Sequence, residues 1–421
     1  MNTNGNDRGR VIGLDAHPDS FTAAIVKGPT PAAAIVEKIF NKVPLDRLSD
    51  WAKKNTIRED LFVLEASGNS FEVVRVLAQV GRQAKVLESC HLGQLKEAHA
   101  NNDRISAVRI GKAYLAGTAK EVWVPDTRTQ ERRDWFHAHR KAVKRTTQVR
   151  ASLSSYLSDN GVRLKKNNPL ARPKEAEEKI RQARSWSPRQ WQVIAGKLME
   201  LRHAEEQRQH WGRVIAQEVL TDPVLLALVR LCGVREITAF ALGAFIGDIH
   251  RFASPKKLVK YIGFNPAFDD SGQTDWSGGI GGHGHRALRC LLIEGAQAIL
   301  HGSSIPLARW GKKLLARKGA VNLVVCAMAR KLAVAAWYLM MGRWTTLEEI
   351  DAGLSTKISK IVGRVGTAGL KQLGKTRKAF REEIFAALKT GKVYVLDPDK
   401  KFSPKTPPEP TSTLAQEYGL S

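Results

Sequence analysis

Cysteine is scarce in this chain of 421 residues, which contains only four. The four lie far apart, form no CxxC pair and have no histidine cluster beside them, so neither a zinc site nor a disulfide framework is predicted. Acidic residues are also few, because 67 lysines and arginines oppose 41 aspartates and glutamates and leave a net charge of +26. A sequence pI near 10.1 is typical of proteins that bind a polyanion, and we predict that the polyanion is nucleic acid.

Targeting and membrane-spanning segments are not evident either. The first ten residues, MNTNGNDRGR, contain no apolar segment of a secretory signal peptide. The longest apolar stretch, 320–342, is interrupted by Arg330 and Lys331. Each such charge would cost about 2.5–3.5 kcal/mol at the centre of a bilayer. The sequence therefore predicts a core helix here, a cytoplasmic protein and no membrane partner.

Short apolar runs alternate with a helical pattern in the first part of the chain. Residues 11–17 and 21–26 flank the turn signal Pro-Asp-Ser and predict a hairpin. Residues 61–67 and 83–89 predict two further buried strands, and residues 71–81 between them have helical spacing. This alternation indicates an α/β layer.

The remaining chain is predicted to be mainly helical, so the fold class is α/β plus all-α. Long charged segments with few glycines predict a helical arm, in the form of a coiled-coil hairpin. A proline-rich polar tail predicts disorder. The predicted divisions are a strand-containing domain at 8–127, the helical arm at 128–222, a third domain at 223–345, a helical extension at 346–396 and the tail at 397–421.

Three carboxylates follow the predicted strands and the next helix. Asp15 and Glu65 end apolar strands, where an unpaired charge is costly, and Asp103 opens a helical segment. Carboxylates at neighbouring strand ends, joined by one from a helix, suit two Mg²⁺ ions for phosphoryl transfer. In a strongly basic chain they favour an RNase H-like nuclease core. An actin-like fold also begins with a strand carrying an aspartate, but the sequence offers no good second phosphate loop.

The segments VIGLDAHPDSFTAAIV, VLEASGNSFEVVRVL and NNDRISA resemble the RuvC-like half of the bridge-RNA-guided insertion-sequence transposases of the IS-one-ten class, to which Piv-type DNA invertases are related. The resemblance implies an RNase H-like (RuvC-like) N-terminal domain with an acidic tetrad that binds Mg²⁺ or Mn²⁺. Carried over by position, the tetrad is Asp15, Glu65, Asp103 and Ser106. Ser106 stands where the family has an aspartate, so the fourth ligand brings no charge.

Residues 268–297 form the second informative segment. Ser271 and Gly272 are predicted to lie in a loop, followed by clustered glycines and a helix that opens near Arg286 and Arg289. Backbone amides of glycines and a helix N-terminus can hold a phosphate. The segment resembles the serine motif of the same family, which implies that Ser271 is the nucleophile and that Gly272, Arg286 and Arg289 contact phosphate.

The segment just upstream resembles a helix-hairpin-helix within the mainly helical C-terminal serine domain. Gly233 would hold backbone phosphate there, and Lys256, Lys257 and Lys260 would add positive charge. Such elements bind the nucleic-acid backbone without reading bases.

The preferred prediction is a DNA transposase or recombinase with a serine nucleophile and a divalent-metal acidic site. The resemblance implies donor and target DNA, a guide RNA and a homo-oligomer, dimer or tetramer, as partners, and association with a bacterial nucleoid. One alternative is a metal-dependent junction-resolving nuclease that works without covalent chemistry. The other, suggested by Ser106, is a catalytically decayed nucleic-acid-binding protein.

Overall fold

The computed structural model describes residues 10–89, 102–117, 119–163, 173–271, 274–342 and 351–389. It divides into two compact units, which meet in the sequence between Asp126 and Thr127. The elements of the first unit are β1 (Val11–Ala16), β2 (Ser20–Lys27), β3 (Ile35–Pro44), α1 (Leu48–Asn55), β4 (Leu61–Glu65), α2 (Ser70–Gln79), β5 (Gln83–Leu87), α3 (Asp103–Leu115) and β6 (Glu121–Val122).

The strands of the first unit form one mixed sheet in the order β3-β2-β1-β4-β5-β6. Strands β1, β2 and β3 are antiparallel, β4 and β5 run parallel to β1, and β6 is antiparallel to β5. The predicted hairpin is confirmed, as are the two further predicted strands and the helix between them. Strand β3 was not predicted, because it lies at the sheet edge with mostly exposed side chains and so lacks a clear apolar alternation.

The two faces of this sheet bury different side chains, as the period of two along a strand requires. Ile12, Leu14 and Leu64 contribute to the core on the face covered by α1 and α2. Val11 and Val63 contribute to the core on the face covered by α3. Every second residue after Val11 on β1 and after Val63 on β4 therefore lies on the sheet face that α3 covers.

The second unit is mainly helical. Its elements are α4 (Thr127–Asp159), α5 (Pro173–Ala183), α6 (Pro188–Thr221), α7 (Pro223–Val229), α8 (Glu236–Ile246), α9 (Pro255–Ile262), β7 (Pro266–Ser271), β8 (Thr274–Ile280), α10 (Arg286–Gly302), α11 (Pro306–Lys318), α12 (Val321–Met340), α13 (Asp351–Gln372, bent at Gly366) and α14 (Arg377–Lys389).

Helices α4 and α6 form the predicted helical hairpin. They are antiparallel, since Arg132 on α4 pairs with Glu218 on α6 while Arg145 pairs with Glu200. Phe136 of α4 and Phe380 of α14 belong to one continuous core of the second unit. The division of this unit into arm, serine domain and extension stays a prediction, and the predicted tail lies outside the described residues.

Among the described helices, only α12 is long and apolar enough to cross a membrane. Within it, 56% of the most apolar stretch is buried inside the protein, including Val324, Met328 and Leu332. The prediction of a core helix at this position is confirmed.

Candidate functional site

The ends of β1 and β4 bring two carboxylates to one edge of the sheet. The strands are parallel with Leu14 opposite Leu64, so Asp15 and Glu65 follow at the same level. Side chains two or four positions apart on a strand lie on the same face of the sheet. Asp15 and Glu65 therefore share a face with Val11 and Val63, which pack against α3. The strand pattern therefore accounts for the neighbourhood of two of the predicted residues.

Helix α3 approaches β1 closely because Gly13 has no side chain. A Cβ atom at Gly13 would lie only 2.0 Å from the carbonyl oxygen of Ala107. On the helix, Gly111 faces the same contact, because a Cβ atom at Gly111 would lie 3.7 Å from the Gly13 Cα. This close packing sets the first turn of α3, which contains Asp103 and Ser106, against the end of β1.

The first turn of α3 is held by its cap. The side chain of Asn102 accepts a hydrogen bond from the Ile105 amide at 2.9 Å, and Asp103 is the first helical residue. Ser106 is hydrogen-bonded to the carboxylate of Asp15. Because a carboxylate can only accept, the serine hydroxyl is the donor.

His17 is a member of this group that the sequence analysis missed. Its Nε2 lies 3.5 Å from Oδ1 of Asp103 and 3.9 Å from Oδ2 of Asp15. The Asp-Ala-His pattern at the end of β1 contained a signal, since residues two apart in a strand share a face. The histidine was not singled out because the chain reverses at Pro18, where strand alternation no longer applies.

The electrostatics of Asp15 are those of a crowded acidic site. Partial burial raises the pKa of its carboxyl, and the negative charges of Asp103 and Glu65 raise it further. His17 and the hydrogen bond from Ser106 act in the opposite direction. A divalent cation at this position would remove the repulsion among the carboxylates.

The donor set fits a divalent ion. Ligand atoms of Asp15, His17 and Asp103 all lie within 4.8 Å of one another. Two ligands of an ion bound at about 2.1 Å are separated by about 3.0 to 4.2 Å in octahedral geometry. The distances from His17 to both carboxylates fall in this interval, and the side chains are between one-fifth and one-half exposed, so an ion in solvent can reach them.

The predicted nucleophile lies in a hairpin rather than in a loop. Strands β7 and β8 are antiparallel, and Ser271, the last residue of β7, is opposite Thr274. The prediction that Ser271 lies in a loop was wrong. Glycine has low strand propensity, so the glycines at 278 and 279 make the second strand difficult to recognise in the sequence. Gly272 lies outside the described residues.

The helix predicted after the glycines begins at Arg286, as expected. His285 caps it, because its Nδ1 accepts a hydrogen bond from the Leu288 amide at 3.3 Å. Its ring lies 4.2 Å from that of Phe245, and burial lowers its pKa to about 4. His285 is therefore neutral at neutral pH and supplies no positive charge.

The two predicted phosphate-binding arginines of this helix have different surroundings. The guanidinium of Arg289 donates hydrogen bonds to the carbonyl oxygens of Gly263, at 3.2 Å, and His283, at 2.7 Å. It therefore ties the helix to the end of α9. Arg286 is exposed to solvent.

The upstream helices present the predicted lysines. Lys256, Lys257 and Lys260 are all exposed on α9. Gly233 has a φ of 75° and packs against the backbone of α10, where a Cβ atom would lie 2.6 Å from the Gly295 carbonyl oxygen. Packing alone thus explains the glycine, whereas the three lysines are accessible to a polyanion.

Comparison with known proteins identifies related chains. Residues 226–309, which include Ser271, match the model of the transposase IS116/IS110/IS902 family. A putative transposase of Sinorhizobium fredii is 24% identical over 314 residues, which cover 66% of this chain and 74% of the relative. These similarities relate the chain to transposases of the IS116/IS110/IS902 family.

Two further relatives agree with this family. The transposase for insertion sequence element IS1111A of Coxiella burnetii is 25% identical over 288 residues, which cover 66% of this chain and 77% of the relative. A probable family 20 transposase of Pseudomonas aeruginosa is 31% identical over 144 residues, which cover 34% of this chain and 42% of the relative. The predicted roles of the individual side chains stay predictions.

Proposed function

We propose that this protein is an insertion-sequence transposase that cuts and rejoins DNA through the hydroxyl of Ser271, with a divalent metal held by Asp15, Glu65 and Asp103. The observation that carries the metal site is the convergence of Asp15, Asp103 and His17 at one edge of the sheet, with Glu65 on the neighbouring strand. The strand order β3-β2-β1-β4-β5, with only β2 antiparallel to its neighbours on both sides, supports an RNase H-like (RuvC-like) fold for this unit.

The proposed reaction is an exchange of phosphodiester bonds. The Oγ of Ser271 attacks phosphorus, the bond to the 3′ oxygen breaks, and the DNA 5′ phosphate becomes linked to the serine. The serine proton ends on the departing 3′ oxygen. Attack by the 3′ hydroxyl of a new strand then releases the serine and completes the joining. Bound Mg²⁺ or Mn²⁺ would stabilise developing negative charge on the phosphate.

Positive charge on the second unit supports binding of the polyanion. Arg286 and the three α9 lysines are exposed and can contact phosphate, while Arg289 positions the helix. A guide RNA and a homo-oligomer are also part of the proposal. They rest on the family resemblance, to which the net charge of +26 adds only a general preference for nucleic acid.

The deciding experiment traps the protein–DNA adduct with a donor DNA that carries the ends of the element. Ser271→Ala is expected to lose the denaturation-resistant adduct and strand exchange while it retains DNA binding, because the reaction needs the oxygen itself. Loss of a nucleophile typically costs on the order of 10⁶-fold in rate. Ser277→Ala, six residues further on, is the matched control and should keep both activities.

Two outcomes would contradict the proposal. An adduct mapped to Ser277 would show that the neighbouring serine is the nucleophile. Cleavage without any adduct, abolished in Asp15→Asn but not in Ser271→Ala, would favour the junction-resolving metal nuclease instead. Binding without cleavage, restored to cleavage by Ser106→Asp, would favour the decayed enzyme.

A further inference from the structure

We propose that His17 is a ligand of the divalent ion and that it makes the site prefer Mn²⁺ over Mg²⁺. This inference rests on the metal site of the proposed function and adds a residue to it. None of the residues carried over from the family resemblance is a histidine.

His17 is held where a ligand of the ion would be. Its backbone amide donates to the Ser20 carbonyl oxygen at 2.8 Å, which fixes the turn after β1. Its own carbonyl oxygen accepts a hydrogen bond from the Asn69 side chain at 2.8 Å, which ties this turn to the loop after β4. The side chain is 47% exposed, so solvent and an arriving ion have access to the imidazole.

The contacts of the imidazole point to the carboxylates. Nε2 is the atom that lies near both Asp103 and Asp15, at 3.5 and 3.9 Å. These distances are longer than a hydrogen bond, which ends near 3.2 Å for this kind of pair. They match the spacing of ligands around one ion, about 3.0 to 4.2 Å. A neutral imidazole nitrogen can complete such a set.

The loss of the fourth carboxylate explains why a nitrogen ligand would matter. Ser106 hydrogen-bonds to Asp15 and contributes no negative charge. Mg²⁺ prefers oxygen ligands and dehydrates reluctantly, so it gains little from an imidazole. Transition metals accept imidazole nitrogen as well as carboxylate oxygen. Replacing a carboxylate by serine while adding a histidine therefore shifts the preference toward Mn²⁺.

Electron paramagnetic resonance of Mn²⁺ bound to the full chain, in a nitrogen-free buffer, tests the inference directly. The wild type is expected to bind Mn²⁺ with an echo modulation from a coordinated ¹⁴N nucleus. His17→Ala should lose the ¹⁴N modulation and bind Mn²⁺ at least about tenfold more weakly, while its Mg²⁺ affinity changes less. The control His203→Ala, which removes an exposed histidine of α6, should leave both unchanged.

A second substitution of His17 distinguishes a metal ligand from a cation that only pairs with the carboxylates. His17→Asp returns an oxygen ligand and a negative charge, so it should strengthen Mg²⁺ binding and remove the preference for Mn²⁺. If His17 were only a cation that pairs with the two carboxylates, the aspartate would instead strengthen the binding of both metals alike and leave their ratio unchanged.

The failure of this inference is distinguishable from the failure of the proposed function. Mn²⁺ bound without ¹⁴N modulation, and lost in Asp15→Asn, would overturn the role of His17 and leave the acidic metal site intact. Mn²⁺ binding that is absent, or unaffected by Asp15→Asn, would overturn the metal site and the role of His17 together.

Discussion

Buried charge is treated differently in the two units. In the helical unit, the ammonium of Lys357 donates to the carbonyl oxygens of Val229, Leu231 and Val234 at 2.7 to 3.1 Å. In the sheet unit, Asp15 is partly buried beside two other carboxylates, and among the described residues His17 and the Ser106 hydroxyl oppose its negative charge. Three hydrogen bonds hold the Lys357 ammonium in the fold although burial disfavours its charge, whereas the carboxylates around Asp15 repel one another and would be stabilised by a cation.

The polar residues of the two predicted sites also differ in whether other protein groups satisfy them. In the segment that matches the family model, Arg289, His285 and Gly263 hold the protein together, through a pair of carbonyl contacts, a helix cap and a left-handed turn at φ 89°. At the end of β1, the corresponding polar groups face solvent and one another. Substitutions should therefore change stability in opposite directions in the two regions.

The largest expected effect is at Lys357. Lys357→Met keeps the length of the side chain but leaves three carbonyl oxygens without their donor, so we expect the free energy of unfolding to fall by about 3 kcal/mol. Urea unfolding measures this decrease in the free energy of unfolding. Lys360→Met, at an exposed position of the same helix, is the control and should change stability by less than about 0.5 kcal/mol. Equal effects would show that the three contacts contribute nothing.

The pH dependence at Lys357 has a definite sign. Burial lowers the pKa of its ammonium to about 8 in the folded protein, from an ordinary value of 10.5. Between these values the unfolded chain holds the extra proton, so the stability contributed by Lys357 increases as the pH rises from 8 to 10.5. The difference between the wild type and Lys357→Met should widen over this interval.

A smaller effect is expected at Arg289. Arg289→Ala removes both carbonyl contacts that tie α10 to Gly263 and His283, and we expect a loss of about 1.5 kcal/mol in the free energy of unfolding. Arg286→Ala, three residues earlier and exposed, should leave stability unchanged and weaken DNA binding instead. Thermal unfolding and a binding titration together check the pair. A reversed pattern would restore Arg289 as the principal phosphate ligand.

The sequence was a good guide where one residue pattern had one structural meaning. Buried strands such as β1 and β4 have an apolar run of the right length, and their parallel pairing alone brings Asp15 and Glu65 to one edge. The start of α3 at Asp103 follows from the Asn102 cap. The two strands and the helix start are local features, so they can be recognised without tertiary contacts.

The sequence was a poor guide where tertiary contacts decide the role of a side chain. Arg289 has the chemistry of a phosphate ligand, but carbonyl oxygens 26 and 6 positions away accept hydrogen bonds from its Nη1. The placement of His17 depends on the turn at Ser20 and on Asn69, 52 positions further along the chain. The exposed edge strand β3 and the glycine-rich β8 likewise lack the apolar alternation that would identify them.

The smallest effect is expected at Asp15, and its sign is opposite. The raised pKa of Asp15 means that the folded protein holds this proton more tightly than the unfolded chain, whose carboxyl has the ordinary value of 3.8. Stability is therefore lost as the pH rises from 3.8 through the folded pKa.

Asp15→Asn does not titrate, so with a chelator present it should be more stable than the wild type at pH 7, by at most about 1 kcal/mol. Urea unfolding at pH 3.5, 5 and 7 follows the difference, which should shrink toward pH 3.5. The exposed Asp19→Asn is the control and should change stability by less than about 0.5 kcal/mol. A less stable Asp15→Asn at pH 7 would mean that His17 and Ser106 already satisfy the carboxylate, and that this end of the sheet is neutralised within the protein as the helical unit is.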